Sequence, residues 1–171
     1  MKEVKTMRIP TKLVKALNDQ IKAELDSGYM YLAMANYFHL KNFTGIAHWF
    51  RVQAKEEQEH AMKIHDYLLE RDEAPTLESV DAPETDWTGV TPVLEQAYQH
   101  ECKVTEMIYN LVDIATETKD YASISFLQWY INEQVEEEAQ SLELFEKSRM
   151  IGDSMAGLMV FDQQLGARKD D

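Results

Sequence analysis

The chain has 171 residues, 44% hydrophobic and 28% charged, which suits one domain spanning 1–171 with a core large enough to fold unaided. Its formal net charge of −14, from 31 acidic against 17 basic residues, attracts cations and argues against a nucleic-acid or anionic-membrane partner. One cysteine, Cys102, excludes an internal disulfide and a multi-cysteine zinc or iron–sulfur site, and no apolar run approaches the roughly 20 residues that span a bilayer.

Six glycines and four prolines leave little punctuation, which favours long helices. The N-terminal "MKEVKTMRIP" lacks the apolar centre of a signal peptide, so a cytoplasmic protein is expected. From Pro10-Thr11 a first helix is predicted over about 11–41, with Leu17, Ile21, Tyr31, Ala35 and Phe38 on one face. "NFTG" is a turn in which Thr44 is the expected N-cap, and a second helix follows over about 45–72 on Ile46, Phe50, Ile64 and Leu68. "EAPTLESVDAPETDWTG" has two prolines and no sustained period. Thr91-Pro92 then reads as a capping hydroxyl before a first-turn proline, opening a third helix over about 92–118. A break at Lys119-Asp120 precedes a fourth over about 121–151, and "SMAGLMVFDQQL" makes a short fifth over about 154–165.

Helices of about 30 residues are about 45 Å long. The short breaks after the first and third make antiparallel hairpins. The connection between the second and third is long enough to run the length of a bundle. The fold class is therefore all-α: a four-helix bundle with one long crossover and a short C-terminal helix.

Each long helix carries a carboxylate or amide inside its apolar stripe: Glu24, then Glu57 with His60, then Glu101, then Gln134 with Glu137. Glu24 and Glu57 are 33 residues apart, as are Glu101 and Gln134, and a polar residue follows at i+3 in each hairpin. Residues three apart share a helical face, so the two hairpins present these groups inward at one level. Carboxylates gathered in an apolar bundle are very costly unless a cation compensates them. Oxygen ligands with one imidazole suit iron or manganese, and two half-sites suit two metals. Glu24, Glu57 and His60 would form one position. Glu57 and Glu101, with Gln134 or Glu137, would form the other. Gln134 either ligates directly or hydrogen-bonds a ligand or water. A solvated surface pair is the competing reading for Glu57 and His60, and the matched spacings weigh against it. Acidic runs usually mark a solvated face, and Glu138 is read that way. Trp129 and Tyr130 read as packing residues. His39, His48, His65 and His100 read as surface or interface residues, and Cys102 is given no role.

"LNDQIKAEL", "KEEQEH", "YQHE" and "FLQWYINEQVEEE" resemble the corresponding motifs of bacterial non-haem ferritins, and the resemblance covers essentially the whole chain. It implies ferroxidase-centre ligands at Glu24, Glu57, His60, Glu101 and Gln134, with Glu57 bridging. It also implies a tyrosine beside the centre, active in iron oxidation, at Tyr31. A third iron site is implied at Glu56, Glu133, Glu136 and Glu137. The family assembles hollow shells of two dozen subunits, oxidises Fe(II) with O₂ or H₂O₂, and stores Fe(III) mineral inside. Bacterioferritins have a haem-ligating Met where this chain has Gln58, so no haem is expected. Animal ferritins line their three-fold channels with acidic residues, and the matching positions here are the apolar Ile124 and Leu127. The alternative is a rubrerythrin-like di-iron peroxidase without mineral storage, but that family adds a cysteine-ligated iron for which this chain has no cysteine set.

Overall fold

The computed structural model describes residues 8–169, which form five helices: α1 Thr11–Leu40, α2 Thr44–Glu70, α3 Val90–Glu117, α4 Tyr121–Ile151 and α5 Met155–Leu165. Most of the N-terminal stretch read for a targeting signal lies outside the described residues.

The first three helices end alike. Asn42, Asp72 and Lys119 each take a positive φ, of 64°, 60° and 55°. The next N–H then closes onto a carbonyl five residues back, Phe43 onto Phe38, Glu73 onto Leu68 and Asp120 onto Ala115. This left-handed stop satisfies carbonyls that the helix itself leaves open. The starts differ from expectation. Thr44 is the first residue of α2, behind Phe43, and no side chain of its own segment caps it. The N–H of Ile46 is instead met by Asp162 Oδ1 from α5, at 2.8 Å. Likewise α3 begins at Val90 behind Gly89, two residues before the expected start, without a side-chain cap. Pro92 then sits in the first turn, where its missing N–H costs nothing. Side-chain caps occur at α4, where Asp120 accepts from Ser123 at 3.0 Å, and at α5, where Ser154 accepts from Gly157 at 3.2 Å.

α1 packs along α2 and α3 along α4. The crossover 71–89 then runs up α1 from its beginning to its end. Thr76 N–H bonds Asn18 Oδ1, Asp81 N–H bonds Asp26 Oδ1, and the Tyr37 hydroxyl donates to the Trp87 carbonyl. The chain thus returns to the far end before starting α3, which makes α3 parallel to α2. α5 folds back on α2.

The apolar interior falls into two clusters. Leu13, Leu17, Ile64, Leu68, Ile108 and Leu127 belong to one. Tyr31, Phe38, Phe50, Val93, Leu94 and Phe161 belong to the other. On every long helix the polar residues of interest lie in sequence between the members of one cluster and those of the other. Leu127 is fully buried among the first cluster, so it faces the bundle interior and not a channel.

Candidate metal centre

Each helix delivers its polar group inward because the groups share the period of the apolar stripe. Glu24, Glu57, His60, Glu101, Gln134 and Glu137 are all buried. They meet between the two apolar clusters. Ligand atoms of Glu24, Glu57 and His60 lie within 4.8 Å of one another, as do those of Glu57, Glu101 and Glu137. Glu57 belongs to both groups and His60 to one, with His60 Nδ1 3.6 Å from Glu57 Oε2.

Burial and mutual repulsion hold these carboxyls away from their charged forms. Burial first, and the neighbouring Glu57 second, push Glu24 up to about 8. Burial pushes Glu101 up to about 7, against the opposing hydrogen bonds of Tyr31 and Gln134. Burial and Glu101 raise Glu137 to about 7. Glu57 is raised by burial and by Glu101 and Glu137. Glu24 Oε2 is the one buried side-chain polar atom among the described residues without a hydrogen-bond partner. An orphaned carboxylate oxygen beside a further carboxylate, Glu57, and an imidazole, His60, fits a divalent cation, which would supply both the missing partner and the compensating charge.

Tyr31 is buried, and its hydroxyl donates to Glu101 Oε1. Burial first and Glu101 second raise this phenol, so it keeps its proton. Gln134 is placed as a donor. Its Nε2 lies 3.3 Å from Glu101 Oε2, from the Glu101 carbonyl and from Thr105 Oγ1. It orients Glu101, while Glu137 completes the second group.

Two glutamines that the spacing argument passed over support the buried carboxylates. Gln20 Nε2 donates to Glu24 Oε1 at 2.8 Å. Gln53 Nε2 donates to Glu57 Oε1 at 2.8 Å and to Glu137 Oε2 at 2.9 Å. The signal is present in the sequence, since Gln20 and Gln53 each stand one turn before an inward glutamate and are themselves 33 residues apart. Behind His60, the Tyr130 hydroxyl donates to the His60 carbonyl at 2.6 Å and the Trp129 ring stands edge-on at 5.4 Å. His100 belongs to neither group. Its Nε2 is 2.7 Å from Ser27 Oγ, and burial lowers it to about 4, which keeps it neutral.

The other acidic positions lie outside this buried layer. A groove of about 860 Å³ opens between α2 and α4, lined by Glu56, Glu59, Glu133 and Glu136 and reaching His60 and Glu137 at its floor. Glu133 is half-buried and Glu136 exposed. Glu56 pairs with Arg168, whose Nη2 lies 2.5 Å from its Oε2.

The ferritin-like domain model matches residues 14–151. The chain is 39% identical over 160 residues to a bacterial non-heme ferritin of Bacteroides fragilis, covering 94% of this chain and 99% of that one. It is 38% identical over 159 residues to one from Staphylococcus aureus, covering 93% and 96%. Among solved structures, an engineered closed form of the Archaeoglobus fulgidus ferritin superposes with a TM-score of 0.94 at 44% identity, covering 95% of this chain and 99% of that one. The open-pore ferritin of the same archaeon gives 0.93 at 44%, covering 94% and 99%. With 94% of its length aligned to a ferritin and its bundle superposed on theirs, the chain belongs to the ferritin family.

Proposed function

We propose that this chain is an iron-storage ferritin that oxidises Fe(II) and deposits Fe(III) mineral inside a hollow shell of two dozen copies. The observation that carries this reading is the pair of buried ligand groups joined at Glu57. Fe(II) is the substrate. Glu24, Glu57 and His60 hold one ion, while Glu57, Glu101 and Glu137 hold the other, and Glu57 bridges. Each Fe(II) gives up one electron, and O₂ or H₂O₂ takes the two together.

The protein's share of the work is electrostatic. Carboxyls raised to about 7 and 8 give up their protons when cations enter, and the resulting charge favours Fe(III) over Fe(II). Gln20 and Gln53 donate to these oxygens and hold them toward the metal positions. Tyr31 does the same for Glu101 and is the residue we assign to the oxidation step. The second group has no imidazole, so it holds iron less firmly and passes the product on. Glu56, Glu133, Glu136 and Glu137 form the third place, along the groove.

The test is aerobic addition of Fe(II) to the metal-free protein, in steps from one to about a hundred irons per chain, with Fe(III) absorbance and particle mass followed together. Rapid oxidation of the first irons, then soluble mineral growth at constant particle size, is expected. Glu57→Ala with His60→Ala should abolish the fast phase and leave the assembly intact; a wild-type rate in that variant overturns the site. Saturation at two irons without mineral would move the function to a peroxidase-type di-iron enzyme.

A further inference from the structure

Arg168 lies three residues beyond the end of α5, and the chain there turns back over α2. Its guanidinium enters the acidic groove. Nη2 reaches Glu56 Oε2 at 2.5 Å, and Nη1 reaches Gln53 Oε1 at 3.0 Å and the Trp49 carbonyl at 3.4 Å. The guanidinium also lies over the Trp49 ring, 4.4 Å from its centre. His48 Nε2 stands 2.8 Å from the Arg168 carbonyl, which fixes the backbone behind the side chain. The ion pair is largely withdrawn from water, with side-chain exposures of 16% for Arg168 and 32% for Glu56.

The contact with Gln53 settles the direction of that amide. A guanidinium only donates, so Gln53 turns its oxygen to Arg168 and its NH₂ to the carboxylates of Glu57 and Glu137. The reversed amide would set donor against donor and acceptor against acceptor. The groove thus already contains a cation supplied by the chain, placed on the one α2 carboxylate that a third metal ion would need.

We infer that Arg168 is a specificity-determining residue of the centre: its guanidinium occupies Glu56, so the chain holds two cations firmly and admits a third only by releasing its own arginine. This rests on the two-ion reading of the buried groups and on the third place proposed along the groove.

Zn²⁺, which is not oxidised, is titrated calorimetrically into the metal-free assembled protein, and bound zinc is counted after dialysis. Wild type should take two ions tightly and a third weakly. R168A should bind the third about tenfold more tightly, the size of one charge-assisted hydrogen bond. R168K, which keeps a cation for Glu56, should return the third ion to its wild-type affinity, and R168A/E56Q should lose the gain. Should R168A fail to assemble, R168Q, which keeps the stem over Trp49, gives the same reading. A third-ion affinity unchanged by loss of the arginine, or a gain that survives E56Q, overturns the inference. A wild type that takes up no zinc overturns the two-ion reading itself, and that failure is visible before any arginine is changed.

Discussion

At the scale of single residues, four glutamates are held in the bundle interior by the rest of the fold and against their own ionisation. Glu24 shows the consequence for stability. In the unfolded chain its carboxyl has the usual value of 4.5, and in the folded metal-free chain about 8. Between those values the folded state keeps a proton that the unfolded state has lost, so stability falls as pH rises. The contribution is whole below 4.5 and is lost as pH climbs through 8. His100, lowered to about 4, works in the opposite direction but only below its ordinary 6.5. The metal-free protein should therefore melt at a lower temperature at pH 8.5 than at pH 6.5, and Glu24→Gln should flatten the slope. Scanning calorimetry reads both, and a melting temperature that holds or rises over that window would refute the account. A buried carboxylate or imidazole on an apolar stripe is legible in sequence because the mismatch of character and position is large. Gln53 is quieter, since an uncharged amide disturbs the stripe less. Arg168 cannot be read at all, because 112 residues separate it from Glu56 and only the return of the chain after α5 brings them together.

At the scale of elements, the helix ends carry testable strain. Asn42 and Asp72 have the short polar side chains that tolerate the left-handed conformation, whereas the Lys119 side chain does not. Lys119→Gly should stabilise the protein by about 0.5–1 kcal/mol, measured by denaturant midpoint; a loss of stability would mean that the lysine side chain compensates locally. A larger effect is expected where α5 meets α2. A Cβ at Gly45 would come within 1.8 Å of the Asp162 carbonyl oxygen, and a backbone atom cannot swing aside as a side chain does. Gly45→Ala should cost about 3 kcal/mol and loosen α5, exposing the C-terminal segment to limited proteolysis. The hairpins and the crossover were legible because periodicity and connection length decide them. The starts of α2 and α3 were not, because the caps that local sequence suggested at Thr44 and Thr91 compete with tertiary contacts such as Asp162 on Ile46.

At the scale of the whole molecule, apolar side chains remain uncovered in clusters on several surfaces, among them one on α1 and one on α5. On α1, Tyr29, Leu32 and Leu40 are exposed and line a groove of about 480 Å³ that Pro83 and Asp86 of the crossover complete. On α5, Met155 and Met159 are exposed one turn apart, with Val160 beside them. Large exposed apolar groups in clusters mark interaction surfaces. A chain with a single such surface stops at a small closed oligomer, whereas two surfaces on different elements let association propagate until symmetry closes it. The two should therefore fail independently. Leu32→Glu places a charge in the α1 groove and should break the contact made there, giving small particles by light scattering with the helical content retained. Met159→Glu should break the α5 contact and leave the α1 contact intact, giving particles smaller than the proposed shell. Both variants keep every residue of the buried groups, so on the two-ion reading proposed above each should still bind two Zn²⁺ per chain. A full-sized shell from either variant would remove that surface from the assembly, and loss of zinc binding in both would mean that the centre depends on the shell around it.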